Sequence, residues 1–215
     1  MAEQAPGLVL DELAVSLPGR KLLELSLRIA PGEVVVVMGP SGSGKSTLLA
    51  AICGTLDPAF LLSGRILLDG RRIEAEPPER RRVGILFQDD LLFPHLSVGG
   101  NLAFGLPAEP KGRAERRARI EEALAAADLD GLADRDPATL SGGQRARISL
   151  LRALLSEPRA LLLDEPFSRL DTPLRARFRG FVLDELRRRG LPGLLATHDA
   201  TDAAAVDGKV VTLGD

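Results

Sequence analysis

Between Val34 and Cys53 the chain runs from the unbroken apolar segment Val34-Val-Val-Val-Met38 through Gly39-Pro-Ser-Gly-Ser-Gly44-Lys45-Ser46 into a helix-forming stretch that stops at Gly54. No other feature limits the possible folds so tightly. A Val-rich run without polar alternation reads as a strand buried on both faces. The pattern G-x-x-x-x-G-K-[ST] between such a strand and a helix lets backbone N–H groups curl around phosphate oxygens. The helix amino terminus adds positive partial charge, Lys45 reaches the outer phosphates, and Ser46 offers a hydroxyl to Mg2+. Chance would produce such a match in on the order of one chain in a few hundred. Lysine is rare here (Lys21, Lys45, Lys111 and Lys209), and Lys45 stands where this pattern demands one.

Composition narrows the class. With 215 residues, 45% hydrophobic and 27% charged, the chain has the length and balance of one folded domain with a sizeable core. Bulk disorder is excluded. Lys+Arg at 28 against Asp+Glu at 30 gives a net charge of -2, without the uncompensated positive field that nucleic-acid binding draws on. The single cysteine, Cys53, allows no intramolecular disulfide and no cysteine-based metal cluster, and it reads as a small core residue. The start MAEQAPG lacks the basic-then-apolar pattern of a signal peptide. Both point to a reducing compartment, most simply the cytoplasm. The longest uncharged stretch, Leu91 to Ala108, is broken by Pro94, His95, Gly99, Gly100, Asn101, Gly105 and Pro107. It cannot form a membrane-spanning helix of about 20 apolar residues.

Period and punctuation divide the remainder. Leu8 and Leu10, then Leu23, Leu25, Leu27 and Ile29, alternate around Pro18-Gly19 and Pro31-Gly32, which predicts half-buried antiparallel strands. Further strands are expected at Glu33 to Met38, Ile66 to Leu68, Val83 to Phe87, Ala160 to Leu163, Leu194 to Thr197 and Lys209 to Leu213. Helices are expected at Ser46 to Cys53, at Lys111 to Asp128 with Ile120, Ala123, Leu124 and Ala127 on one face, and at Ser141 to Ser156 with Ile148, Leu151 and Leu155 in step. A last helix runs around Pro173 to Arg189. Strands alternating with helices after residue 33 predict an α/β core with a parallel sheet, whose ligands gather at the carboxyl ends of its strands. The Arg80-Arg81-Arg82 run, and Arg113, Arg116, Arg117 and Arg119, stand near Glu79, Glu115, Glu121 and Glu122 and read as solvated faces.

Two further motifs carry chemistry. Ala160-Leu-Leu-Leu-Asp164-Glu165 is a buried strand that delivers two carboxylates at its end. In isolation such a pair reads as a helix cap or a surface pair. After a phosphate loop, Asp164 is suited to a Mg2+ shell and Glu165 to taking a proton from an attacking water. Leu140-Ser141-Gly142-Gly143-Gln144 combines a serine N-cap with a flexible glycine pair, which explains a helix start but not all five letters. Gln88 in Leu86-Phe-Gln88-Asp89, Ser168-Arg-Leu-Asp171 and Thr197-His198-Asp199 complete the set. Together these segments make essentially the whole chain resemble the ATP-binding subunit of an ABC transporter.

That resemblance implies an α/β fold with a P-loop NTPase core and parallel sheet, an amino-terminal antiparallel β layer and an inserted helical subdomain at about residues 89–157 of a single domain spanning 1–215. It implies that Gly39, Pro40, Ser41, Gly42, Ser43, Gly44, Lys45, Ser46 and Thr47 bind nucleotide, and that Ser46, Gln88 and Asp164 form a Mg2+ site. Lys45, Gln88, Glu165 and His198 become the catalytic set. Ser141, Gly142, Gly143, Gln144 and Asp171 would contact the nucleotide held by a second copy of the chain in a head-to-tail dimer. The implied activity is ATP hydrolysis with Mg2+ that powers a multi-span permease from the cytoplasmic face of the membrane, indirectly serving a solute-binding protein, with no nucleic acid involved.

The stretch Gln88 to Asn101 is similar to bacterial importers of the thiamine, ferric ion, polyamine and molybdate group, which implies import. His95 within it resembles a segment that receives the membrane subunit, the alternative being a plain loop histidine. Two other classes stay open, a release or division-type complex that moves no solute and a soluble ABC ATPase acting on nucleic acid or ribosomes. The latter usually carries two cassettes, long coiled-coil insertions or zinc cysteines, none of which this sequence shows. Two departures stand out. There is no Tyr or Trp and the earliest Phe is Phe60, so Leu17 or Pro18 takes the place of the family's adenine-stacking aromatic. Arg169 stands where the family commonly has a small residue, so it must point outward or find an acid. The end at Asp215, just after the last strand, predicts no carboxyl-terminal regulatory domain.

Overall fold

Alternation builds the first sheet. In the computed structural model, which describes residues 6–108 and 112–214, β1 (Leu8–Leu17) buries Leu8, Leu10, Leu13 and Val15. The expectations for MAEQA, Lys111 and Asp215 fall outside the described residues. A bulge between Leu10 and Leu13, with Glu12 at φ 47, brings the apolar set back into phase. β2 (Arg20–Ile29) pairs antiparallel with β1 and buries Leu23, Leu25, Leu27 and Ile29. Next come β3 (Val34–Met38) and α1 (Lys45–Cys53), which ends at Gly54 with the Gly54 N–H donating to Ala50 O. β4 (Leu61–Leu68) begins earlier than the expected Ile66, because its first half pairs with β1 while Leu61 is exposed and Ser63, Gly64 and Arg65 break the apolar alternation. With β5 (Arg71–Arg72) the order is β2-β1-β4-β5.

The second sheet is set by burial on both faces. β6 (Val83–Leu86), β7 (Ala160–Asp164), β8 (Gly193–Thr197) and β9 (Val210–Thr212) join β3 in the order β6-β7-β8-β3-β9. β3 runs parallel to β8 and β9, and β7 parallel to β8. Val35 to Val37, Leu161 to Leu163 and Leu194 to Ala196 are fully buried, as a covered parallel sheet requires. α1 touches β1, β7 and β8, and its Leu48, Leu49 and Ile52 share one apolar cluster with Leu13 and Leu25 of the first sheet and Val35, Leu162 and Leu194 of the second. Each such side chain contributes about 1.5–3 kcal/mol. Cys53 lies in this cluster, and burial pushes its thiol up to about 11. Arg81 departs from the expected solvated run. It is buried, and its guanidinium donates to four backbone carbonyls.

Chain contacts divide the protein into two units, one holding Met1–Ile85, Arg159–Glu165 and Phe181–Asp215, the other Leu86–Pro158 and Pro166–Gly180. The second contains α2 (Val98–Gly105), α3 (Arg113–Ala125), α4 (Gly142–Leu155) and the first half of α5 (Thr172–Arg189). α3 buries Ile120 and Leu124 as its periodicity predicts, whereas α4 buries Ile148, Leu151 and Leu154 and leaves Leu155 half-buried. α2 lies in the uncharged stretch where no helix was expected. α6 (Ala200–Ala204) follows β8 in the first unit.

Candidate functional site

Parallel register sets the site. Met38 pairs with Thr197 and Asp164 with Ala196, so the carboxyl ends of β3, β7 and β8 deliver Gly39, Glu165 and His198 to one edge of the sheet. The loop from Gly39 turns there into α1. Gly44 sits at φ 96, where an L side chain is strained, and a Cβ on it would come 3.1 Å from Leu23 Cδ2. No side chain caps α1, so its first-turn amides stay open as donors at the positive end of the helix dipole. Ser43 Oγ is buried with no hydrogen-bond partner, a second polar group suited to an incoming oxygen.

Lys45 is 6% exposed. Its Nζ donates to Gly39 O at 2.6 Å and Pro40 O at 3.0 Å and lies 4.0 Å from Glu165 Oε1. Burying an ammonium is costly unless it is hydrogen-bonded, and these carbonyls hold it where phosphate oxygens can replace them. Ser41, Gly42, Gly44, Lys45, Ser46, Thr47 and Glu165 line a cleft of about 280 Å³.

The acidic half completes the edge. The Ser46 hydroxyl stands close enough to the Asp164 carboxylate to favour its charged form. Burial raises Asp164 above its ordinary value, helped by the neighbouring Glu165 charge and opposed by the Ser46 hydrogen bond and Lys45. Glu165 adopts φ 46, uncommon for a residue with a side chain, and its N–H donates to Ala196 O at 2.9 Å. Its Oε1 lies 2.8 Å from His198 Nδ1, so an imidazole and an ammonium both bear on one carboxylate. The residues present fit the groups this arrangement implies. A hydroxyl beside a carboxylate is a hard-oxygen pair suited to Mg2+, which keeps waters and takes phosphate oxygens. Open amides, Lys45 and the orphaned Ser43 Oγ suit a polyphosphate.

The remaining expected site residues belong to the second unit. Gln88 is exposed in the segment after β6. Ser141 and Gln144 form a reciprocal capping box at the start of α4, the Gln144 N–H donating to Ser141 Oγ at 3.3 Å and the Ser141 N–H to Gln144 Oε1 at 3.0 Å. Gly143 is buried where a Cβ would come 2.5 Å from Leu174 Cδ1. Capping and packing thus account for Ser141, Gly143 and Gln144 and leave Gly142 without a structural reason. Asp171 Oδ1 accepts the Leu174 N–H at 3.0 Å where α5 begins. Arg169 has found its acid in Asp89.

Three residues that sequence reasoning passed over shape the loop after Gln88. Asn101 is fully buried, accepts the Phe93 N–H at 2.7 Å and donates to Phe93 O, Leu96 O and Ser97 O. Arg152 donates to Leu91 O and Asp90 O with its guanidinium 5.4 Å from the Phe93 ring centre, and Arg145 bonds Asp90 Oδ2 at 3.3 Å. Burial raises the Asp90 carboxyl despite Arg145. An Asn inside a glycine-rich apolar stretch was a visible signal. The arginines, far along the chain, gave none.

With this geometry in place, similarity to known proteins fixes the family. Residues 22–168 match the ABC transporter family, and the chain belongs to it, as an ATP-binding subunit. It is 48% identical over 199 residues to the ABC transporter ATP-binding protein YnjD of Escherichia coli K12, covering 92% of this chain and 91% of that one. It is 45% identical to the Fe(3+) ions import ATP-binding protein FbpC of Streptomyces coelicolor, covering 97% of this chain and 59% of the relative's length. Among solved structures, CbiO1 of Clostridium perfringens, part of the ABC transporter complex CbiONQ, superposes with a TM-score of 0.85 at 30% identity, over 97% of this chain and 85% of that one. The α/β P-loop fold, with its antiparallel layer and parallel sheet, is the fold of this family.

Proposed function

We propose that the chain hydrolyses ATP to ADP and phosphate to drive import through a separate membrane permease. The observation that carries this reading is the convergence of Lys45, the Ser46–Asp164 pair and the Glu165–His198 pair on one sheet edge beside an uncapped helix. Open α1 amides bind the phosphates, and Lys45 exchanges Gly39 O and Pro40 O for phosphate oxygens. Ser46 and Asp164 would hold Mg2+, which when bound neutralises charge on the phosphates. Glu165 Oε1, oriented by His198, takes the proton of the attacking water. His198, Gln88, Ser141, Gly142, Gly143, Gln144 and Asp171 keep the roles the family likeness gives them, the last five toward nucleotide on a second copy.

Partners follow from the same reading. The import name carried by FbpC supports import, and CbiO1's place in CbiONQ supports a permease partner. Among the described residues no helix is long and apolar enough to cross a membrane. The likeness to import ATP-binding proteins supports work at the cytoplasmic face, by attachment to the permease. Exposed Leu91 and Phe104, with Phe93 between His95 and Phe104, give the permease an apolar surface in the second unit. We read residues 1–215 as a single ABC-type domain with a helical subdomain at about 89–157, a reading that the helix-rich second unit supports.

Glu165→Gln tests the chemistry. An amide cannot accept the proton, so hydrolysis is expected to fall at least about a hundredfold while ATP binding persists. Near-normal turnover in a clean preparation would remove Glu165 as the base.

A further inference from the structure

Two acids follow Gln88 in the chain, and three arginines from elsewhere in the second unit close on them. Arg145 Nε lies 3.3 Å from Asp90 Oδ2, and its Nη1 donates to Leu140 O at 2.7 Å, just before Ser141. Arg152 donates to Asp90 O at 3.2 Å and to Leu91 O at 2.8 Å. Asn101 takes both the N–H and the carbonyl of Phe93. The backbone from Asp90 to Phe93 is therefore held by α2 and α4, with Leu91 kept at φ 47, a conformation a leucine rarely adopts. Only Asp89 lies between this clamped stretch and Gln88. Its carboxylate turns to neither helix but pairs with Arg169.

The turn that carries Arg169 is pinned at both ends. Phe167 is fully buried, its ring edge-on to Phe178 of α5 with centres 5.9 Å apart. The Leu170 N–H donates to Phe167 O at 3.2 Å. Asp171 caps α5, its Oδ1 accepting the Leu174 N–H at 3.0 Å and its carbonyl the Arg175 N–H at 2.8 Å. Arg169 thus reaches from a fixed turn, two residues before Asp171, to a carboxylate one residue after Gln88. Its side chain is 61% exposed and that of Asp89 50%. An ion pair so open to water contributes little to stability. Rate is far more sensitive to placement, since a shift of about 1 Å can cost on the order of a hundredfold.

On the reading that gives Gln88 a part in hydrolysis and Asp171 a contact with a second copy's nucleotide, we propose that Arg169 is a positioning residue. Through Asp89 it fixes where Gln88 stands relative to Asp171. The clamp on Asp90 to Phe93 supplies a rigid abutment on one side, and the buried Phe167 supplies the other. Asp89 is the joint between them, and its charge is what Arg169 holds.

Exchange of the two charges tests the pair in the full chain. Arg169→Asp sets a third carboxylate beside Asp89 and Asp90 and is expected to lower kcat about tenfold. ATP binding by the single chain should stay within about twofold of native, and the urea midpoint within about 0.4 M. Adding Asp89→Arg restores an opposite pair and is expected to return kcat to within about threefold of native. Arg169→Lys, which keeps the charge, should retain most of the rate. A loss in Arg169→Asp that Asp89→Arg does not relieve, or one matched by a large fall in the urea midpoint, overturns the positioning role. Gln88→Ala separates this from the reading beneath it. A native rate from Arg169→Asp beside an impaired Gln88→Ala overturns the role of Arg169 alone, whereas a native rate from Gln88→Ala overturns both.

Discussion

Two helices of this protein begin next to glycines and are finished in opposite ways. α1 starts at Gly44 with no side chain on its first amides, whereas α4 starts at Ser141 with a capping box that joins Ser141 and Gln144 in both directions. An uncapped start leaves its donors to a ligand and is organised fully only when one arrives. A capped start is fixed beforehand, and a ligand can approach it only through what the box leaves out, here Gly142 and Gly143. The loop proposed to grip phosphate is thus open and its counterpart in the other unit is preset.

The contrast predicts different failures, and the largest is catalytic. Lys45→Ala removes the cation from the open start and is expected to cost about a hundredfold or more in hydrolysis. Ser141→Arg is expected to abolish hydrolysis while a single chain still binds nucleotide, because in the proposed head-to-tail dimer the bulky cation would fill the space of a second copy's phosphate. A Lys45→Ala chain paired with a Ser141→Arg chain keeps one intact loop facing one intact cap. About half the native rate is expected from that dimer if the two sites act independently. Silence from the mixed dimer, with both chains able to pair, breaks the assignment of α4 to nucleotide on a second copy.

The open start could be read from sequence and much of the preset one could not. A Val run, the glycine loop and Lys45-Ser46 are adjacent in the chain, so local pattern carried β3, α1 and the placement of Asp164, Glu165 and His198 at strand ends. α2 escaped because Gly99, Gly100 and Gly105 are poor helix formers. It forms through tertiary partners, with Val98 and Leu102 buried, Ser97 Oγ accepting the Gly100 N–H, and the Gly99 N–H donating to Ala133 O. A Cβ at Gly105 would run into Arg152 O. Arg81 escaped for a similar reason. Its partners Ala51 and Ile52 lie about 30 residues away, and a charge run looks the same whether solvated or buried.

Stability should separate the two starts on a smaller scale. Gly143→Ala forces a Cβ against Leu174 and is expected to cost roughly 1–3 kcal/mol by overpacking. Ser141→Ala is expected to cost about 1 kcal/mol through the lost cap. Because the box is reciprocal, Ser141→Ala combined with Gln144→Ala should cost less than the sum of the two alone. Urea unfolding measures all of these. Strict additivity would mean that the two halves of the box form independently in solution.

The smallest structural effect is expected at Gly142, and it is the most telling. An added Cβ there finds no atom nearer than Arg145 Nη2 at 3.9 Å, so Gly142→Ala should change stability by no more than about 0.5 kcal/mol, and an alanine in the first turn favours the helix. Among the described residues nothing packs where this side chain would stand. If the preset start receives a second copy's phosphate, the methyl group stands where backbone must approach oxygen, and hydrolysis should fall by about tenfold with nucleotide binding by the single chain unchanged. A Gly142→Ala protein that is equally stable and equally active would leave the glycine with neither a structural nor a catalytic reason, and would count against the approach of a second copy's phosphate to the start of α4.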